Sequence, residues 1–168
     1  MARFYALAGT WKEDVTLVGA DTILAQAEAL ASVPLPGPAP DGPLLAVVDS
    51  RRRVGAWDAL RDCGHWSRVL ALRGETPGER VDLAAALSAL AEQDDAWTVR
   101  VDSGGALAGA LLREGLVDEL SLLVHPVIAG GERRWHRRTP APALTLERLA
   151  GESFDDGVVW LRYRVASG

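Results

Sequence analysis

The sequence predicts an α/β domain of the three-layer kind, with helices on both faces of a mostly parallel sheet and an antiparallel hairpin at its C-terminal end. Three observations predict it. Apolar, β-branched runs alternate along the chain with stretches rich in Ala, Leu, Gln and Glu, the pattern of strands and crossover helices. The segment Val101–Gly131 reads as strand, glycine-rich turn, helix and strand. The tail contains two strand-like runs about the turn residues Asp155-Asp156-Gly157.

The elements follow in order. Phe4–Trp11 has the composition of a short helix. Val15–Gly19, VTLVG, is a buried strand ended by glycine. Ala20–Ala31 is a helix by composition. Pro34–Pro43, PLPGPAPDGP, is a surface loop. Leu44–Asp49 is a second buried strand, followed by a polar, basic turn over Ser50–Arg53. Trp57–Asp62 forms a helical turn and Val69–Leu72 a short third strand. Asp82–Gln93 is a helix whose Leu83, Ala86, Leu87 and Leu90 mark one buried face. Thr98–Val101 is the fourth strand. The helix after Gly104-Gly105 runs to about Glu114, where Gly115 suits a C-terminal cap. Leu120–Ile128 is a fifth strand, bent or at an edge because of Pro126. Leu144–Leu149 and Val158–Val165 make the closing hairpin. Residues 1–168 form a single domain, with no internal repeat and no linker.

Bulk properties narrow the function. A chain of 168 residues with 48% hydrophobic residues buries a sizeable core. A net charge of −5 argues against nucleic acid as the main partner. No apolar run reaches membrane-spanning length, and the N-terminus lacks the parts of a signal peptide, so a cytoplasmic protein without a membrane partner is expected. Cys63 is the single cysteine and reads as a small packed residue. Cys63 and His65 lack the further partners a metal site needs, and no metal is expected.

The chemistry concentrates at strand ends. Gly104 and Gly105 let backbone approach a ligand closely and adopt positive φ, and the first N–H groups of the following helix attract an anion. Ser103 can cap that helix or donate to a phosphate. The same glycines also suit a tight turn with no ligand. Gly19, Asp49, Asp102 and Gly130 all fall at carboxyl ends of predicted strands, where open α/β sheets bind ligands. The spacing is not the G-x-G-x-x-G fingerprint. Arg51, Arg52 and Arg53 either reach an adenosine 2′-phosphate, favouring NADP over NAD, or form a solvated turn. Arg133, Arg134, Arg137 and Arg138 around His136 read as an exposed loop or a site for a substrate phosphate. His125 beside Pro126 reads as a packed strand residue. No catalytic triad, paired carboxylates or other catalytic residue is identifiable.

Four segments carry a family resemblance: LVGADTILA at Leu17–Ala25, VVDSRRRV at Val47–Val54, VDSGGALAGALL at Val101–Leu112 and GLVDELSLLVHPVIAGG at Gly115–Gly131. With them the chain resembles the RibD C-terminal family, the reductase domain of riboflavin biosynthesis, which has the dihydrofolate reductase-like fold. The resemblance implies NADPH-dependent reduction of a ribosylamino-pyrimidine phosphate, with hydride passing to the ribosyl carbon, and a homodimer. It places Gly19 and Thr22 near the cofactor, Ser50 and Arg51 at the adenosine phosphate, and Gly104, Gly105 and Ala106 around the pyrophosphate. Asp21 and Ser103 face the substrate.

The sequence departs from the family pattern at three places. Ser103 stands where a Glu often precedes the double glycine. The usual first strand with its S-x-D-G loop has no counterpart. RGETPGER, between Leu72 and Val81, replaces a longer segment. Two other functions are therefore kept beside the riboflavin-type reductase. One is a truncated, non-catalytic member that binds nucleotide weakly or acts in assembly. The other is an NADPH reductase of a different small carbonyl or imine.

Overall fold

The structure is a computed structural model and describes residues 2–128, 130 and 143–166. Its elements are α1 (Ala2–Ala8), β1 (Val15–Gly19), α2 (Ala20–Ala25), α3 (Ala27–Ala31), β2 (Leu44–Val48), α4 (Trp57–Asp62), β3 (Arg68–Leu72), α5 (Leu83–Asp94), β4 (Val99–Val101), α6 (Gly105–Arg113), β5 (Glu119–Val124), β6 (Leu146–Ser153) and β7 (Val159–Val165). The predicted α/β class, with parallel strands and an antiparallel C-terminal part, is the architecture observed.

The strands form two sheets. β3-β2-β1-β4 is wholly parallel, and β5-β7-β6 is wholly antiparallel. β5 therefore belongs with the hairpin and not with the parallel strands. It is also shorter than the apolar run Leu120–Ile128. In its register with β7, Pro126 would fall opposite Gly157 at a hydrogen-bonding position. Proline has no N–H to give there, so the ladder stops at Val124. His125 lies beyond the strand and is exposed, contrary to the packed position expected for it.

Two apolar layers sandwich the parallel sheet. Val15, Leu17, Leu44 and Ala46 pack on one face against Leu83 and Leu90 of α5 and Leu107 and Leu111 of α6. Val18, Leu45 and Val47 pack on the other against Ile23 of α2 and Leu60 of α4. Ala86 and Leu87 join the first cluster, as their helical spacing predicted. Asp82 caps α5 by accepting from the Ala85 N–H at 2.9 Å. The predicted helix over 20–31 breaks at Gln26 into α2 and α3. Composition favours one helix, but α3 buries no residue, so packing does not enforce continuity. The half-buried Cys63 donates its thiol to the Leu60 carbonyl at 3.3 Å.

α1 reaches the antiparallel sheet through Arg3. The Arg3 guanidinium donates to Asp156 at 2.5 Å in the β6–β7 turn and stacks over the Phe154 ring. The Arg3 hydrogen bond holds the Asp156 carboxyl below its ordinary range. A depressed carboxyl stabilises the fold above its unfolded value and loses that contribution as pH falls through the folded value. Arg3→Ala should therefore flatten the acid limb of the stability curve below about pH 4, read from thermal melts across pH. An unchanged acid limb would remove this pair from the balance.

Candidate active site at the carboxyl edge of the parallel sheet

β1, β2 and β4 end side by side, and each hands the chain to a turn. Gly19 closes β1 and is the N-cap of α2. Its N–H donates to the Ser103 hydroxyl at 3.0 Å, and the Thr22 hydroxyl stands 3.4 Å from the same oxygen. A Cβ at Gly19 would lie 3.0 Å from Ser103 Oγ, so a larger residue here would press on that hydroxyl. Gly19, Thr22 and Ser103 are thus one cluster. Ser103 neither caps α6 nor stands idle; it ties two strand ends together.

The cap of α6 is Gly104, with φ −71° and ψ 171° and no side-chain cap hydrogen bond. The predicted positive φ is absent at the double glycine. A Cβ at Gly104 would meet nothing within 4 Å, so the turn faces open space. An uncapped helix start there presents N–H groups without intrahelical partners, and Gly105 and Ala106 belong to that first turn. The arrangement suits an anion.

The basic turn after β2 is organised by Asp49. This carboxylate is fully buried and accepts from the Arg53 N–H at 2.8 Å and the Val54 N–H at 3.1 Å. Arg52 takes φ +54° inside the turn. The three arginines then separate in role. Arg52 donates to the Glu75 carbonyl at 3.2 Å, and Arg53 pairs with Asp21 at 2.6 Å. Arg51 is exposed, and among the described residues its guanidinium has no hydrogen bond or ion pair. Asp21 is engaged from α2, so the first turn of α2 and the β2 turn are bridged. The Ser50 carbonyl accepts from the Gly78 N–H at 2.6 Å.

Sequence reasoning missed the part played by the 73–80 segment in this site. Thr76 and Glu79 form a local turn in which the Thr76 N–H and hydroxyl donate to the Glu79 carboxylate at 2.9 and 3.1 Å. These bonds, the Thr76 backbone first, lower the Glu79 carboxyl below its usual range. The T-x-x-E spacing was the available signal. Gly130 follows the antiparallel β5 and is not a fourth end of the parallel sheet. Gly131 and the run Arg133, Arg134, His136, Arg137 and Arg138 lie outside the described residues.

A cleft of about 660 Å³ opens at the opposite edge, where Val15, Leu44 and Arg68 begin their strands. Four carboxylates, Glu13, Asp14, Asp41 and Asp94, line it beside Lys12 and Arg68, and Arg68 is already paired with Asp94. That charge opposes a nucleotide, so the carboxyl edge remains the better site. Among the described residues no His, Cys, Asp and Glu group could hold a metal, and no helix is long and apolar enough to cross a membrane.

Comparison with known proteins shows the family. The family model of the RibD C-terminal domain matches residues 2–160. Riboflavin biosynthesis protein RibD of Mycobacterium tuberculosis is 34% identical over 119 residues, 70% of this chain. The chain spans about a third of that relative's length, 32%. Among solved structures, Acinetobacter baumannii RibD superposes with a TM-score of 0.67 at 20% identity, covering 92% of this chain and 47% of the other. The riboflavin biosynthesis reductase of Saccharomyces cerevisiae gives 0.61 at 17% identity, covering 92% and 76%.

Proposed function

The chain belongs to the RibD C-terminal domain family, and we propose that it is an NADPH-dependent reductase of a ribosylamino-pyrimidine phosphate in riboflavin biosynthesis. The observation that carries the reading is the uncapped start of α6, open at Gly104, on the same edge as the Gly19–Thr22–Ser103 cluster. When bound, NADPH supplies the hydride that reduces the ribosyl carbon to a ribityl chain.

The residues present fit the cofactor. Gly104, Gly105 and Ala106 offer backbone N–H groups to a pyrophosphate without a side chain in the way. Arg51, uncommitted within the described chain, takes the 2′-phosphate beside Ser50, while Asp49 fixes the turn from below. Gly19 and Thr22 adjoin the cofactor from β1 and α2. Asp21 faces the substrate, with Arg53 neutralising its charge where a phosphate must approach. Ser103 faces the same side and acts chiefly by positioning, since its oxygen already accepts from Gly19.

The test is titration of the purified chain with NADPH and with NADH, followed by turnover with the pyrimidine phosphate. NADPH should bind more tightly. Arg51→Ala should weaken NADPH by about tenfold, the value of one charge-assisted contact, and leave NADH unchanged. Absence of binding at millimolar NADPH would sink the reading.

A further inference from the structure

The strand order puts an ion pair in the path of the nucleotide. In the parallel sheet β1 lies between β2 and β4. A nucleotide with its pyrophosphate on the α6 turn, after β4, and its 2′-phosphate at Arg51, after β2, therefore crosses the end of β1. Two strand spacings, about 10 Å, separate the ends of β2 and β4. The crossing falls on the first turn of α2, where Asp21 stands. There the Asp21 carboxylate accepts from the Arg53 guanidinium at 2.6 Å, and the pair ties α2 to the turn after β2.

Arg53 can leave Asp21 without disturbing the fold. Its backbone is fixed, because its N–H donates to the buried Asp49 carboxylate at 2.8 Å. Its guanidinium ends a flexible stem and, among the described residues, holds Asp21 alone. The two side chains are 42% and 78% exposed. Ion pairs this open to water contribute little, and each partner is rehydrated when they part. Asp21 also keeps a favourable place after release, because it lies in the first turn of a helix, near the positive end.

Charge calls for a second cation beside Arg51. A phosphate monoester carries about −1.5 to −2 near neutral pH, and Arg51 offers a single positive charge. Arg52 is held by the Glu75 carbonyl at 3.2 Å. Arg53 is the remaining cation of the turn. Guanidinium–phosphate bonds are bidentate and charge-assisted, and the phosphate brings more charge than the Asp21 carboxylate does.

We propose that Arg53 exchanges partners when the cofactor binds. The exchange rests on the NADPH reading above. It moves the Arg53 guanidinium from Asp21 to the 2′-phosphate, beside Arg51, and opens the bridge across β1 as the nucleotide settles there. Asp21 is then a built-in competitor of the 2′-phosphate and tunes the preference for NADPH over NADH. An Arg53 that stayed on Asp21 would only cancel the carboxylate's charge, and its loss would weaken every adenine nucleotide alike.

The experiment is calorimetric titration with adenosine 2′,5′-bisphosphate and with adenosine 5′-monophosphate. The parent, Arg53→Ala, Asp21→Asn and the double variant are compared. The readout is the preference for the bisphosphate, because a partly unfolded variant loses both affinities in proportion. Arg53→Ala should cut that preference about tenfold. Asp21→Asn should raise it about threefold, the size of an exposed ion pair, and should add nothing once Arg53 is Ala. An Arg53→Ala variant that keeps the parent's preference would overturn the exchange. So would an Asp21→Asn variant that gains nothing, or one whose gain persists without Arg53. In those cases a parent that still prefers the bisphosphate leaves the NADPH reading standing. A parent that shows no preference, or binds neither nucleotide, overturns that reading and the exchange together.

Discussion

Gly104→Val is expected to weaken NADPH by at least about tenfold while the domain stays folded. The Gly104 backbone sits at φ −71° and ψ 171°, a conformation valine adopts without strain. The new Cβ would meet nothing within 4 Å, so no core contact is disturbed. The isopropyl group would instead fill the space in front of the α6 N–H groups, where the pyrophosphate is proposed to lie. Glycine is a better N-cap than valine, so a loss of about 0.5–1 kcal/mol is expected, or roughly 1–4 °C in Tm. Calorimetric titration beside a thermal melt separates the two effects. Unchanged affinity would remove the α6 turn from the site.

The largest loss of stability at the site should come from Asp49→Ala. The substitution deletes a buried carboxylate and strands the Arg53 and Val54 N–H groups that it accepts from. Bonds to a charged acceptor are worth about 1.5–3 kcal/mol each and are only partly additive, so a loss of about 3 kcal/mol is expected. That corresponds to roughly 6–12 °C in Tm for a domain of this size. Asp49→Asn should cost less, because one carbonyl oxygen can still accept. NADPH binding should weaken in both variants through Arg51, whose turn Asp49 holds. Urea melts check the ranking, and equal stability of Asp49→Ala and the parent would show that the turn holds without the carboxylate.

The parallel half of the fold was legible because each strand is a compact apolar run with a punctuating residue. Val15–Gly19 and Leu44–Val48 are buried on both faces, and such strands read as near-continuous hydrophobic sequence. The same signal misplaced β5. An apolar run carries no information about the direction of its partner, and only the ladder with β7 decides it. Gly19 and Gly104 were legible as turn positions where strands hand over to helices. The work of Ser103 was not, because a hydroxyl that bonds a backbone 84 residues away leaves no local pattern. Likewise the three arginines are equivalent in sequence. Arg52 and Arg53 are taken up by Glu75 and Asp21, contacts that exist only after the β3–α5 and β1–α2 connections are in place.

Among the described residues the buried apolar side chains lie between Val15 and Leu112, with Val158 alone from the antiparallel part. The molecule is therefore two-tiered in its resistance to opening. Its rigid tier is the parallel sheet with α5 and α6, and it carries the turns at Gly19, Asp49 and Gly104. The looser tier is β5, β6 and β7, joined to the first by the segment carrying Trp11 and Glu13, which reach Trp160 and Arg100, and by the short link out of α6. Regions with few deep apolar contacts open first and open as units. A ligand on the α6 turn would thus rest on the part of the protein that hardly moves. Any breathing that admits or releases a second molecule would come from the antiparallel sheet swinging on its two attachments.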